Sequence, residues 1–528
     1  MSTQIIKNSH TNKKLFLSIF FIAFTIFVFS QDGHRYSGDE DWQNLQAIRM
    51  VTLEPHELYV DGESRVRFEY PVSYPPAWQG VICHNYITCS PANIGASATQ
   101  VPFLFTNHVF NIITDNTLIL TIDDFNDMHY VFWRNSIDPD FTFNELFYGP
   151  FFMALAISTF FLICRTFDYQ IRTSLILSFL LALTTPLWAY SQTSLSTVPF
   201  VFIILLTFYC FRKYQKNNSP VNLIFCGLCL GFGFMVRQEM AIFIIVLTAF
   251  FIYTLRKRDG KIKNILCYFA PPILIYLLHK SLQMLNSGGG AVMDSPGNLA
   301  FALHPASPEP LMQLMNYGGL LFSPGVGLLF FAPILFAMFF SFTDFFKKHK
   351  IETIFIIGLA SYFIIQFGGF GHWHGLNSWG PRYLIPLIPL LLLPLGASIE
   401  SRNFKKMMIV IMILGAFGFL ANLAYLWMDV SWFVWAQPGY EKGLFSLGNS
   451  LTALYIHDAT IWAFEYSQLT NTILMFLTGF RPDLFLLKLF GWQIFTVSII
   501  SLLASQIYLL YRILNNSKIS EITNKNII

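Results

Sequence analysis

Apolar runs, each near the ~20 residues that a bilayer's hydrocarbon core demands, recur along almost the whole chain. About twelve can be drawn, at 15–31, 144–166, 171–190, 194–212, 220–236, 239–256, 263–281, 318–342, 352–369, 383–399, 407–427 and 486–512. The pattern predicts an all-α polytopic membrane protein. Three polar connections are long, roughly 32–143, 282–317 and 428–485. In the first, residues 57–70, 117–122 and 129–133 alternate apolar with other side chains. The polar turn Asp123-Asp124-Phe125-Asn126-Asp127 separates the last two, so small β elements including a hairpin are predicted there. The second holds Ser287-Gly288-Gly289-Gly290, and the third is rich in Trp and Tyr, which suit the headgroup level. Just past the first run, Ser37-x-x-Glu40 has the form of a capping box. Trp42, Leu45, Ile48 and Val51 follow at intervals of three. An amphipathic helix lying on the membrane surface is predicted, opened by Asp39, Glu40 and Asp41.

Composition agrees with this picture. Only 12% of the 528 residues are charged, and the mean hydropathy is +0.51. A net charge of +3 gives no ground for a nucleic-acid partner. The basic residues cluster at Lys13/Lys14, at Arg212, Lys213 and Lys216, from Arg256 to Lys263, at Lys347, Lys348 and Lys350, and at Arg402, Lys405 and Lys406. These fall at every second connection. The positive-inside rule therefore places both termini in the cytoplasm and all three long connections outside. The first run lacks a small-x-small cleavage site, so an uncleaved anchor is expected. Cys83 and Cys89 lie in the outward connection, where a disulfide could form. Cys226-x-x-Cys229 lies inside an apolar run and reads as a pair of small hydrophobic residues.

Chemistry concentrates at the outer ends of the runs. Glu40 has a structural task as the partner of Ser37, whereas Asp39 and Asp41 have none beyond complementing a helix dipole. The stretch 184–193 closes the third run with Pro186, Trp188 and Tyr190. Arg237-Gln238-Glu239 interrupts an apolar stretch; an ion pair closing a tight turn explains it, and so does a functional site at membrane depth. Ser323-Pro324-Gly325 breaks another run, which is tolerable only where backbone faces protein or a water-filled cavity. The densest signal is 372–383, with His372, His374, Trp379 and Arg382. Arg382 at the boundary suits a phosphate bidentately, or snorkels to headgroups. An HxH pair without a third ligand is weak ground for a metal, so no cofactor is expected, a divalent ion being the lesser alternative.

Taken in order, these segments resemble the GT-C superfamily of polyprenyl-phosphate-sugar-dependent glycosyltransferases. They are most similar to relatives of the protein O-mannosyltransferases and of the lipid A aminoarabinose transferase. The resemblance rests on Asp39-Glu40, Tyr74-Pro75-Pro76, Thr185-Pro186-Leu187-Trp188-x-Tyr190-Ser191, Val236-Arg237-x-Glu239, Leu321-Phe322-Ser323-Pro324-Gly325-x-Gly327-Leu328 and Trp379-Gly380-Pro381-Arg382-Tyr383. It covers roughly 15–400, so the chain divides into a GT-C-like catalytic region, 1–400, and C-terminal helices, 401–528, that match nothing. The resemblance implies a catalytic carboxylate, which maps onto Asp39 with Glu40 and Asp41 beside it. It also implies basic residues on the donor phosphate, best matched by Arg382 and Arg237. Tyr190, Glu239, His372, His374 and Trp379 would line the substrate cavity.

The expected function is sugar transfer, a mannosyl group among the candidates, from a polyprenyl-phosphate donor to a hydroxyl on a glycan, lipid or protein at the outer membrane face. Asp39 would act as general base, with inversion. A transporter or flippase of lipid-linked saccharides fits twelve spans equally well, and a glycan polymerase or ligase differs only in its acceptor. A transporter, however, carries polar residues at the midplane of several spans.

Overall fold

The computed structural model describes residues 2–32, 40, 43–44, 47, 50, 60–61, 65–66, 81–82, 88–89, 94–114, 143–256, 260–286, 310–369, 373–375, 378–401, 404–426, 461–479 and 482–525. The helices, in chain order, are α1 (Ser2–Phe29), α2 (Ile94–Thr114), α3 (Phe143–Thr166), α4 (Ile171–Leu183), α5 (Leu187–Tyr190), α6 (Thr197–Asn217), α7 (Pro220–Val236), α8 (Met240–Leu255) and α9 (Lys261–Asn286). There follow α10 (Pro310–Phe322), α11 (Leu328–Phe331), α12 (Phe336–Lys348), α13 (Lys350–Gly368), α14 (Ile388–Leu392), α15 (Leu395–Ile399), α16 (Phe404–Leu426), α17 (Gln468–Thr478) and α18 (Phe485–Lys525). Among the described residues, eight helical stretches are long and apolar enough to cross a membrane, and α4, α7 and α8 are shorter apolar helices. The chain is a multi-pass, helical membrane protein. Among the described residues the strands are the two-residue pairs β1 (Val60–Asp61) with β2 (Arg65–Val66), and β3 (Val81–Ile82) with β4 (Thr88–Cys89), both antiparallel. The first pair falls within the alternating stretch 57–70. The hairpin expected at 117–133 lies outside the described residues.

Several expected runs are broken, each at proline or glycine. The run 318–342 is not one helix: α10 stops at Phe322, a turn follows, and α11 and a 3-10 turn at Pro333–Leu335 precede α12. Pro324 and Pro333 lack the amide that a continuous helix would use. The Gly325 amide, freed by the break, donates to the Ile461 carbonyl at 3.0 Å. The run 171–190 likewise ends at Leu183, and Pro186 opens α5. The run 383–399 begins as a 3-10 helix, Arg382–Leu387, in a segment carrying Pro386, Pro389 and Pro394.

Two helices were not expected. One is α2, inside the first long connection; its Ala96, Ser97 and Gln100 are fully buried, and it packs on α3 and α7. The other is α17, inside the third. The surface helix also differs from expectation. Glu40, Gln43, Asn44 and Ala47 are all buried, and their i, i+3, i+4, i+7 spacing makes one face. A largely polar face is thus turned into the protein. Trp42, Leu45, Ile48 and Val51 lie outside the described residues.

One apolar core runs from Leu15 on α1 to Leu510 on α18, and includes Met407, Ile411, Ala421 and Tyr425 of α16. At one end of the bundle, Arg212 of α6 pairs with Glu352 of α13, lies 4.4 Å over the Phe167 ring and donates to Gln215 at 2.7 Å. Lys216 pairs with Asp168 beside it at 2.6 Å. Arg212 is 7% exposed, so Arg212→Met should strand the Glu352 carboxylate and cost about 3 kcal/mol. Denaturation in detergent micelles measures this, and Arg212→Met/Glu352→Met should recover most of the loss.

Candidate functional site

The site begins with a buried segment that is not helical. Residues 191–196 join α5 to α6, and every one of them is buried. Their backbone groups need partners, because no solvent reaches them. Gln31, at the end of α1, donates to the Ser191 carbonyl at 2.8 Å. Gln192 donates back to the Ser30 carbonyl at 2.5 Å, and the Trp188 indole to the Ser30 hydroxyl at 3.1 Å. Gln100 of α2 donates to the Ser194 carbonyl at 3.3 Å. The Ser194 amide and hydroxyl both donate to the Glu40 carboxylate, at 2.6 and 3.3 Å. Gly149 lets this segment lie directly on α3, since a Cβ there would meet the Thr193 carbonyl at 2.8 Å.

A second cluster sits where α7 gives way to α8. Arg237 ends α7 with an extended backbone. Its guanidinium holds Glu239 through Nη2–Oε1 at 2.5 Å and Nε–Oε2 at 3.2 Å, and donates to Thr197 Oγ1 at 2.7 Å. The Arg237–Glu239 pair therefore does close the turn. Arg382 lines the same narrow cleft with Thr197, Phe363, Phe367 and Tyr383, and the cleft has no room for even a water molecule. Tyr383 stacks on Phe367 with ring centroids 4.5 Å apart, which holds the cleft shut in this conformation.

Tyrosines link the two clusters. The Tyr190 hydroxyl is buried beside Ser378, within electrostatic range of Arg382 and Arg237. Tyr425 of α16 is within range of Tyr190, Asp32 and Glu40. Trp379 packs against the Tyr425 ring, centroids 4.5 Å apart and planes tilted by 33°, and meets the Phe331 ring edge-on at 4.8 Å. Its indole donates to Asn422 Oδ1 at 3.2 Å.

Of the residues expected at the site, Tyr190, Arg237, Glu239, Trp379 and Arg382 thus gather together, with Glu40 joined through Tyr425. Asp39, Asp41 and His372 lie outside the described residues. His374 is buried against Trp373, ring centroids 5.7 Å apart. Sequence reasoning missed Ser194, Gln31, Gln100, Asn422 and Tyr425. Polar residues such as Gln31 and Asn422 inside or closing apolar runs were the available signal. A larger cavity, about 1250 Å³, lies elsewhere: it is an apolar groove between α4 and α16, with Arg165 and Arg172 at one end. Among the described residues no group of three or more His, Cys, Asp or Glu could hold a metal.

Burial works to raise the Glu239 carboxyl, but the Arg237 charge and hydrogen bonds, with Arg382 behind them, hold it below its ordinary 4.5. A carboxylate so depressed contributes stability above its unfolded pKa and loses it as pH falls through the folded value. The melting-temperature gap between wild type and Glu239→Gln should be constant from neutral pH to about 4.5 and shrink below it.

Residues 147–282 match the family described as dolichyl-phosphate-mannose-protein mannosyltransferase. The resemblance expected from the sequence is borne out over that membrane-embedded part. Two crystal structures of ArnT from Cupriavidus metallidurans are also similar. The undecaprenyl-phosphate-bound form is 13% identical, covering 87% of this chain and 77% of that one, with a TM-score of 0.47. The apo form is 13% identical, covering 88% and 76%, with a TM-score of 0.44. No curated protein sequence matches the chain.

Proposed function

We propose that the chain transfers a sugar from a polyprenyl-phosphate donor to an acceptor hydroxyl at the extracytoplasmic membrane face. The observation that carries this reading is the convergence of the Glu40 segment with the Arg237–Arg382 cleft, through Tyr190 and Tyr425. The carboxylate segment lies within electrostatic range of Tyr425 and the cationic cleft within range of Tyr190, an arrangement that suits inverting transfer. The match of 147–282 to a dolichyl-phosphate-mannose family supports the donor class. The basic clusters at alternate connections support cytoplasmic termini and an outward site.

Asp39, next to Glu40 in the chain, is the general base. It takes the proton from the acceptor hydroxyl as that oxygen bonds to the anomeric carbon. The bond from the anomeric carbon to the phosphate oxygen breaks, and its electron pair leaves with polyprenyl phosphate. Attack opposite the leaving group inverts the centre. Arg382 neutralises the charge gathering on the phosphate. Arg237 spends much of its guanidinium on Glu239 and Thr197, so it acts mainly by holding the cleft's wall. Glu40 is a positioning residue: its Oε1 accepts from the Ser194 amide and hydroxyl, which ties it to the junction of α5 and α6.

Asp39→Asn should abolish transfer of labelled sugar from polyprenyl-phosphate donors in membranes, while leaving insertion unchanged. Retained transfer in that variant would sink the assignment. A flippase would instead move donor between leaflets with no product formed.

A further inference from the structure

We infer that Asn422, on α16, is a positioning residue for the phosphate-binding Arg382, so that the helix beyond the recognised motifs completes the site. The inference rests on the reading of Arg382 given above. Asn422 is fully buried in a span of mean hydropathy 2.3. A buried amide in such a helix needs partners, and polar residues there mark interhelical contacts or sites. Both ends of this amide are used. Nδ2 donates to the Gly418 carbonyl at 2.7 Å, one turn back, which fixes the orientation of the side chain. Oδ1 is thereby turned outward and accepts the Trp379 indole N–H at 3.2 Å.

Trp379 is three residues before Arg382, and what lies between transmits its position. Gly380 has φ +65°, a left-handed conformation, and a Cβ there would lie 2.7 Å from the Phe331 ring. Neither the turn nor the contact tolerates a side chain. The Arg382 amide then donates to the Gly380 carbonyl at 3.0 Å and opens the 3-10 helix. Trp379 is held on three sides, by Asn422, by the Tyr425 ring and by the Phe331 edge. Of these three contacts the bond to Asn422 is the directional one, and it sets where the indole N–H points. Removing it frees Trp379 to turn and lets the start of the 3-10 helix shift. The cost falls on the guanidinium that meets the phosphate.

The test is a double-mutant cycle on the purified full-length chain, with donor and acceptor varied separately. Asn422→Leu and Trp379→Phe, which cut the same bond from opposite sides, should each lower kcat/KM for the donor about tenfold, with the acceptor KM unchanged. In an Arg382→Ala background, Asn422→Leu should cost less than about twofold, because its effect runs through that arginine. A full tenfold loss on that background, unaltered single variants, or an equal rise in acceptor KM would overturn the inference. If Asn422→Leu does not fold, Trp379→Phe carries the same cycle. If wild type transfers no sugar, the function proposed above fails. The cycle read as affinity for decaprenyl phosphate still decides the role of Asn422.

Discussion

The architecture depends on backbone that is buried yet not helical. A helix satisfies its own amides and carbonyls, so it can sit in hydrocarbon without help. Residues 191–196 cannot, and they acquire partners from three distant places: the end of α1, the face of α2 and the Glu40 segment. Each of these donors or acceptors is therefore located by the need of the segment it serves. This one requirement gathers the first span, the first long connection and the α5–α6 junction at a common point. The same rule holds at the broken helix 310–331, where the freed Gly325 amide finds the Ile461 carbonyl.

The site is composite for the same reason. Helix breaks at Leu183, Val236 and Phe322, and the 3-10 start at Arg382, expose polar backbone and make room for side chains that a continuous helix would not present. Arg237 is held in its turn by Glu239 and Thr197, and Tyr190 sits at the foot of a helix only four residues long. Irregular backbone and the candidate side chains occur together because the former positions the latter.

The apolar runs were plain in the sequence, because hydrophobic length is a local property. The Arg237–Glu239 pair and the break at Ser323-Pro324-Gly325 were equally local, and both appear as read. The bond from Ser194 to Glu40 was not legible, because the two are 154 residues apart in the chain; the capping partner expected at Ser37 lies outside the described residues. Helix α2 was hidden because it carries Ser, Thr and Gln together with Pro102, a composition that resembles a loop until neighbouring helices bury it. The link from Asn422 to Trp379 needed the fold itself, since nothing local distinguishes that amide from a polar residue tolerated in a span.

Helix α6 offers a ruler. Its first turn, at Thr197, meets the arginine cleft, and its Arg212 belongs to the ion pair at the opposite end. Fifteen residues separate them, which at 1.5 Å per residue is about 22 Å. A bilayer's hydrocarbon layer is ~30 Å thick. With the Arg212 end at one interface, the cleft lies several ångströms beneath the opposite headgroup plane. A phosphate-bearing lipid would then reach it by sinking, or the bilayer would thin around it. If the cleft is the site proposed above, the length of one helix sets its depth in the bilayer.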